Sequence, residues 1–168
     1  MLELDYNIAL DSNGSFQKEE CTWLENYSEA SKFTYIEQPM SKGIENYTVL
    51  NSKSNANWMA DEDCQEESSL EILKPHYKSI NIKLVKCGGF TPALQMIKKA
   101  RKLNYNIMIG CMTESTIGIS ADAVLATLCD YADLDGSNLI ANDLASGTKI
   151  INGTIQLSEK PGLGISLI

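Results

Sequence analysis

Residues 77–85 read YKSINIKLV, a short apolar run with a lysine inside it. Strand alternation sorts the run into two faces. Ile80, Ile82 and Leu84 share one, suited to packing beneath helices. Ser79, Asn81, Lys83 and Val85 share the other. That pattern predicts a barrel wall with Lys83 directed at the interior. A lysine so placed needs a partner or a chemical task. Desolvation and neighbouring cations lower a lysine's pKa, which is how it becomes a base near neutral pH. An ion pair with Asp61 is the alternative reading.

Similar runs recur on both sides of this one. Asn7–Leu10, Phe33–Ile36, Ala56–Ala60 and Asn106–Ile109 read as strands, and a last short run ends at Asp133. Helical patterns follow the strands at Ser15–Ser31, Ile44–Ser52, Glu66–Leu73, Pro92–Lys102 and Ile119–Leu128. Strands alternating with helices predict βα units and a parallel sheet. Asp11, Glu37, Asp61, Lys83, Cys111 and Asp133 fall at or just after strand C-termini, spaced 26, 24, 22, 28 and 22 residues apart. Each spacing is the length of one βα unit. Polar residues recurring at strand C-termini are where a (β/α) barrel builds its active site. An open doubly wound sheet would gather them at one switch point. The expected class is therefore α/β: a partial TIM-type barrel of about six units.

Three successive strands end in Asp11, Glu37 and Asp61. Neighbouring parallel strands lie ~4.8 Å apart, so end carboxylates can converge. Their mutual repulsion is removed by a hard divalent cation, and all-oxygen ligation with open positions suits Mg²⁺. Solvated loop acids are the alternative. Cys87-Gly88-Gly89 precedes a helix near Thr91 and reads as a tight turn rather than a phosphate loop. Of the acids in Asp61–Glu67, only Asp61 is placed to reach the barrel mouth, and the rest suit a helix start.

Composition narrows the partners. The 168 residues are 43% hydrophobic, enough for one domain with a core. The formal net charge of −8 disfavours nucleic acid and anionic membrane surfaces. Apolar stretches fall far short of the ~20 residues a spanning helix needs. The five cysteines are odd in number and without a Cys-x-x-Cys pair, and no basic-then-apolar segment opens the chain. A reducing cytoplasm is the expected compartment. His76 is the only histidine, which disfavours a histidine-built zinc site.

ALDSNG (9–14), YIEQP (35–39), MADED (59–63), NIKLVKCGG (81–89), IGCMTES (109–115) and DLDG (133–136) stand in order over nearly the whole chain. Together they resemble the enolase superfamily, in its muconate-lactonizing subgroup, and within it the dipeptide epimerases of the L-Ala-D/L-Glu type. The resemblance implies a Mg²⁺-dependent isomerase, an epimerase acting on amino acid derivatives. It would transfer a proton at the α-carbon beside a carboxylate, through an enediolate. It implies metal ligation by Asp11, Glu37 and Asp61, acid/base catalysis by Lys83, and a pocket wall at Cys111. Asp133 and Asp135 would hold the ammonium of a small dipeptide. SNG after the first ligand, and ADED where ADES is commoner, are small departures.

The resemblance also implies a Lys-x-Lys motif upstream of Asp11, but Met1–Leu10 contains no lysine. The match begins at the third barrel strand, without the N-terminal capping domain. Residues 1–149 are expected to form an incomplete barrel, and 150–168 a tail that would pack toward the cap. Such a fragment is expected to be inactive alone, and to need a missing N-terminal half or a second copy. Two further readings stay open. One is another reaction of the subgroup, cycloisomerization or o-succinylbenzoate synthesis. The other is a non-catalytic relic or interaction fragment.

Overall fold

The computed structural model describes residues 7–168; the start of the expected 1–149 domain lies outside them. The chain divides into two compact units. One runs to Asn81 and adds Lys99–Asn106, and the other comprises Ile82–Lys98 and Ile107–Ile168.

The first unit is a run of βα elements. It holds β1 (Ile8–Asp11), α1 (Lys18–Asn26), β2 (Phe33–Glu37), α2 (Ile44–Tyr47), β3 (Trp58–Ala60) and α3 (Leu70–Leu73), and most of β4 (Ser79–Ile82). The strands pair in parallel, with Asp11 beside Glu37, Glu37 beside Met59, and Met59 beside Ser79. Every residue of β3 and β4 is buried. Burial on both faces is why β3 reads as a continuous apolar run, while β4 alternates Ser79 and Asn81 with Ile80 and Ile82 and buries all four. Trp58, Leu70, Tyr77 and Ile80 are among the largest core side chains.

Helix α1 is capped at Gln17: the Gln17 N–H donates to Glu20 Oε2 at 2.7 Å, and the Gln17 backbone carbonyl accepts from the Glu20 N–H at 3.2 Å. It turns Cys21 and Leu24 into the core. It stops at Asn26, short of the expected Ser31, because Tyr27 is extended and a 3₁₀ turn, Ser28–Lys32, leads into β2.

The second unit contains α4 (Leu84–Cys87), most of α5 (Phe90–Lys102), β5 (Asn106–Gly110) after its first residue, α6 (Thr116–Ala126) and β6 (Tyr131–Asp133). Strands β5 and β6 pair in parallel, Gly110 beside Asp133. The tail adds β7 (Ala145–Ser146), β8 (Lys149–Ile151), β9 (Thr154–Gln156) and β10 (Ser166–Leu167). β7 pairs with β10, and β8 with β9 through Asn152-Gly153, both at positive φ. Asn-Gly is the pair a tight hairpin turn favours.

Strand order follows chain order from β1 to β6. This is the connectivity of consecutive barrel units and not of a doubly wound sheet, as expected. One local expectation is corrected. β4 ends at Ile82, so Lys83 is not inside a strand but is the extended residue before α4. Val85 is 59% exposed on that helix instead of facing an interior. The cause lies downstream. Gly88 takes the left-handed conformation and its N–H closes on Leu84 O at 3.1 Å, so Leu84–Cys87 coil into one turn. Gly88 and Gly89, both at positive φ, form the tight turn between α4 and α5.

Candidate active site

Asp11 and Glu37 are the last residues of β1 and β2, and Asp61 follows β3. Lys83 follows β4, Cys111 follows β5, and Asp133 ends β6. Asp135 opens a 3₁₀ turn, Asp135–Leu139. Each predicted residue thus stands at or beside a strand's C-terminal end.

In the first unit, the three strand ends are adjacent but the carboxylates have separate partners. Asp11 Oδ1 accepts from the Asn13 N–H at 2.9 Å, and Oδ2 from Asn13 Nδ2 at 2.8 Å. Glu37, 4% exposed, accepts from Asn81 Nδ2 at 2.7 Å. Asp61 is 5% exposed. Among the described residues, no three His, Cys, Asp or Glu side chains are grouped closely enough to hold a metal ion. The donor set still fits a hard cation in type, being all carboxylate. Glu37 and Asp61 are buried at adjacent strand ends, and a divalent ion would offset the cost of two enclosed like charges. Asp11 would have to turn from Asn13 to join them.

The chain around Glu37 is tied down by residues that sequence reading did not single out. Ser12 Oγ donates to Glu37 O and to Gln38 O, each at 2.8 Å. Gln38 is buried, with φ +32. Its N–H donates to Met59 O at 2.9 Å, and its Oε1 accepts the Asp61 N–H at 3.0 Å. A cavity of about 290 Å³, lined by Phe16, Met40, Ser41 and Val49 among others, opens beside this region and is not lined by the three acids.

In the second unit, Lys83 Nζ lies 4.0 Å from Met112 Sδ. Burial, then Asp133 and the other nearby acids, raise the Cys111 thiol to about 11, so it stays protonated. It can line a pocket but is not a thiolate nucleophile. Gly136 packs against the loop after β5: a Cβ there would lie 2.1 Å from Met112 O and 3.1 Å from Cys111 Sγ. This close approach docks the Asp133-x-Asp135 turn beside Cys111, and both aspartates are exposed. Asp122 on α6 is fully buried, and among the described residues its carboxylate has no hydrogen bond of normal geometry, the backbone of Leu84 lying near enough only to offset part of the burial. Burial and then Glu114 raise it to about 7. Its one-letter context, ISADAV, is an apolar helix face, and the lone charged letter there was the available signal.

Six strands in chain order, five of them followed by α-helices, define a partial (β/α) barrel. Residues 2–168 match the family model described as enolase C-terminal domain-like, and the chain belongs to that family. It is 40% identical over 164 residues to an L-Ala-D/L-amino acid epimerase of Flavobacterium johnsoniae, covering 96% of this chain and 48% of that protein. It is 35% identical over 170 residues to the L-Ala-D/L-Glu epimerase of Bacteroides thetaiotaomicron, covering 98% and 43%. Among solved structures, a dipeptide epimerase from Enterococcus faecalis, complexed with Mg and the dipeptide L-Leu-L-Tyr, superposes with a TM-score of 0.84 at 30% identity. That match covers 98% of this chain and 49% of the other. The chain spans about half the length of the relatives it matches, and the fold is the expected partial barrel. Among the described residues, no helix is long and apolar enough to cross a membrane.

Proposed function

We propose that this chain supplies the catalytic half of a Mg²⁺-dependent dipeptide epimerase. The observation that carries the reading is the placement of Asp11, Glu37, Asp61, Lys83, Cys111 and Asp133 at successive strand C-termini. Its support is the likeness to proteins named epimerases and to a structure that holds Mg and a dipeptide.

Asp11, Glu37 and Asp61 would hold the ion. Mg²⁺, when bound, withdraws charge from a substrate carboxylate and so acidifies the neighbouring α-proton. Lys83 is the base for that proton. Its backbone is extended, and it is the last such residue between β4 and α4. Cys111, neutral and half-buried, contributes shape rather than charge. Asp133 and Asp135 present two acids to a free ammonium. That pair suits a dipeptide and not a dicarboxylate, which sets this reading above cycloisomerization or o-succinylbenzoate synthesis.

The test is proton exchange. The chain is incubated with L-Ala-L-Glu and Mg²⁺ in D₂O, and the glutamyl α-proton is followed by NMR. Lys83 addresses one face, so slow deuterium uptake without inversion is expected, abolished in Lys83→Ala. Exchange that survives Lys83→Ala, or full epimerization by this chain, would overturn the assignment of the base.

A further inference from the structure

Asp63 ends the MADED stretch (59–63) that follows Trp58, and its carboxylate accepts three hydrogen bonds. Oδ2 accepts from Gln38 Nε2 at 2.9 Å and from the Tyr77 hydroxyl at 2.8 Å, and Oδ1 accepts from the Gly43 N–H at 3.0 Å. Burial and then Asp63 itself raise the Tyr77 pKa, so its hydroxyl remains a donor.

These bonds fix the Gln38 amide. A carboxylate needs a donor, so Nε2 must face Asp63, where it also donates to Met40 O at 2.8 Å. Oε1 is thereby turned toward β3, where it accepts the N–H of Asp61 at 3.0 Å and that of Asp63 at 3.4 Å. Without Asp63 the amide loses its one charged acceptor, and only Met40 O and the Asp61 N–H still separate its two orientations. A flipped amide would set Nε2 against the Asp61 N–H, donor against donor. Gln38 adjoins Glu37 in the chain, and it also accepts the Gly14 N–H at 2.7 Å through its carbonyl. One buried side chain therefore ties the ends of β2 and β3 together at the two acids that stand there.

We propose that Asp63 is a positioning residue for metal ligation, acting through Gln38 on the backbone that carries Glu37 and Asp61. The inference rests on the reading of those two acids as ligands. Supporting residues of this kind typically change metal affinity by roughly 10–100-fold when removed.

The experiment measures Mn²⁺ affinity by EPR on the 168-residue chain and its variants, with metal-free thermal melts beside it. Asp63→Ala and Gln38→Ala should each weaken binding at least ~10-fold. The double variant should be no weaker than either single one, because both break the same link. Asp63→Asn, which keeps one acceptor oxygen and the side-chain shape but not the charge, should lose less. If Asp63→Ala does not fold, Asp63→Asn and Tyr77→Phe each remove part of the same contact and should weaken Mn²⁺ binding measurably. A purely structural role would lower the melting temperature while leaving Mn²⁺ affinity of the folded chain unchanged, and that result overturns the proposal. So does a loss in Asp63→Ala with none in Gln38→Ala, which would make Asp63 a direct ligand. Asp61→Ala separates the two readings. If it leaves Mn²⁺ binding as in the parent, or the parent binds none, the ligand assignment fails and the proposal falls with it.

Discussion

Asp11 and Glu37 are register partners at the ends of two paired parallel strands, yet their carboxylates are committed differently: Asp11 to Asn13 two residues on, Glu37 to Asn81 on β4. Asn13 sits at φ +46, where glycine is at ease. Asn13→Gly keeps that turn and the backbone donor but removes the side-chain bond to Asp11 Oδ2. One such bond is worth ~0.5–1.5 kcal/mol. If Asp11 must leave Asn13 to reach a metal, Asn13→Gly should tighten Mn²⁺ binding by roughly 2–10-fold. Weaker binding would show instead that Asn13 holds Asp11 in its ligating orientation.

Asp122 makes the second unit sensitive to alkali. Its pKa of about 7 lies above the ~3.9 of an unfolded aspartate, owing first to burial and then to Glu114. Cys87 and Cys111 also lie in its field and stay neutral, burial raising both thiols. The folded state holds a proton that the unfolded state has lost between about pH 4 and 7. Stability therefore falls as pH rises through that window, and the penalty is complete above it. Asp122→Ala should be more stable than the parent by ~1–3 kcal/mol at pH 8. Urea midpoints should show the advantage shrinking by pH 5. A difference independent of pH would mean that Asp122 does not carry the proton.

The Asp133-x-Asp135 turn depends on a missing side chain. A Cβ on Gly136 would lie 2.1 Å from Met112 O, which is backbone and cannot swing away. Gly136→Ala should cost ~1–3 kcal/mol as the turn is pushed off the loop after β5. Chemical denaturation measures it, and a variant as stable as the parent would show that the approach is looser than described.

Both acids of that turn are exposed, so each contact with a substrate ammonium is screened. Exposed ion pairs are worth ~0.2–1 kcal/mol each. Asp133→Asn with Asp135→Asn, in the intact enzyme, should then raise KM for dipeptides by roughly 2–30-fold while leaving N-acylated analogues nearly unchanged. Equal effects on both substrates would show that the pair does not read an amine.

Local pattern was sufficient for the order of elements. Apolar runs such as NIMI and FTYI mark strands, and a polar letter within two positions of each run marks the strand end, because both signals lie within a few neighbours in the chain. Sequence reading did not single out the tail hairpin at Asn152-Gly153, although Asn-Gly between two apolar runs was the signal for it. Lys83 shows the limit of alternation. Its strand stops at Ile82 because Gly88, five residues on, closes a helical turn back to Leu84.

By itself, the sequence determined which residues stand at the strand ends, since spacing along a βα unit is a local property. Only the tertiary structure decided what those residues face. Asp63 meets Gln38 across 25 positions and Tyr77 across 14, and Glu37 meets Asn81 across 44. Asp122 is marked in the sequence only as a lone acid among apolar letters, and packing is what removes its water. Hydrogen-bond partners and local dielectric arise from atoms distant in the chain. They enter with the packing of the strands and not with the pattern that made the strands.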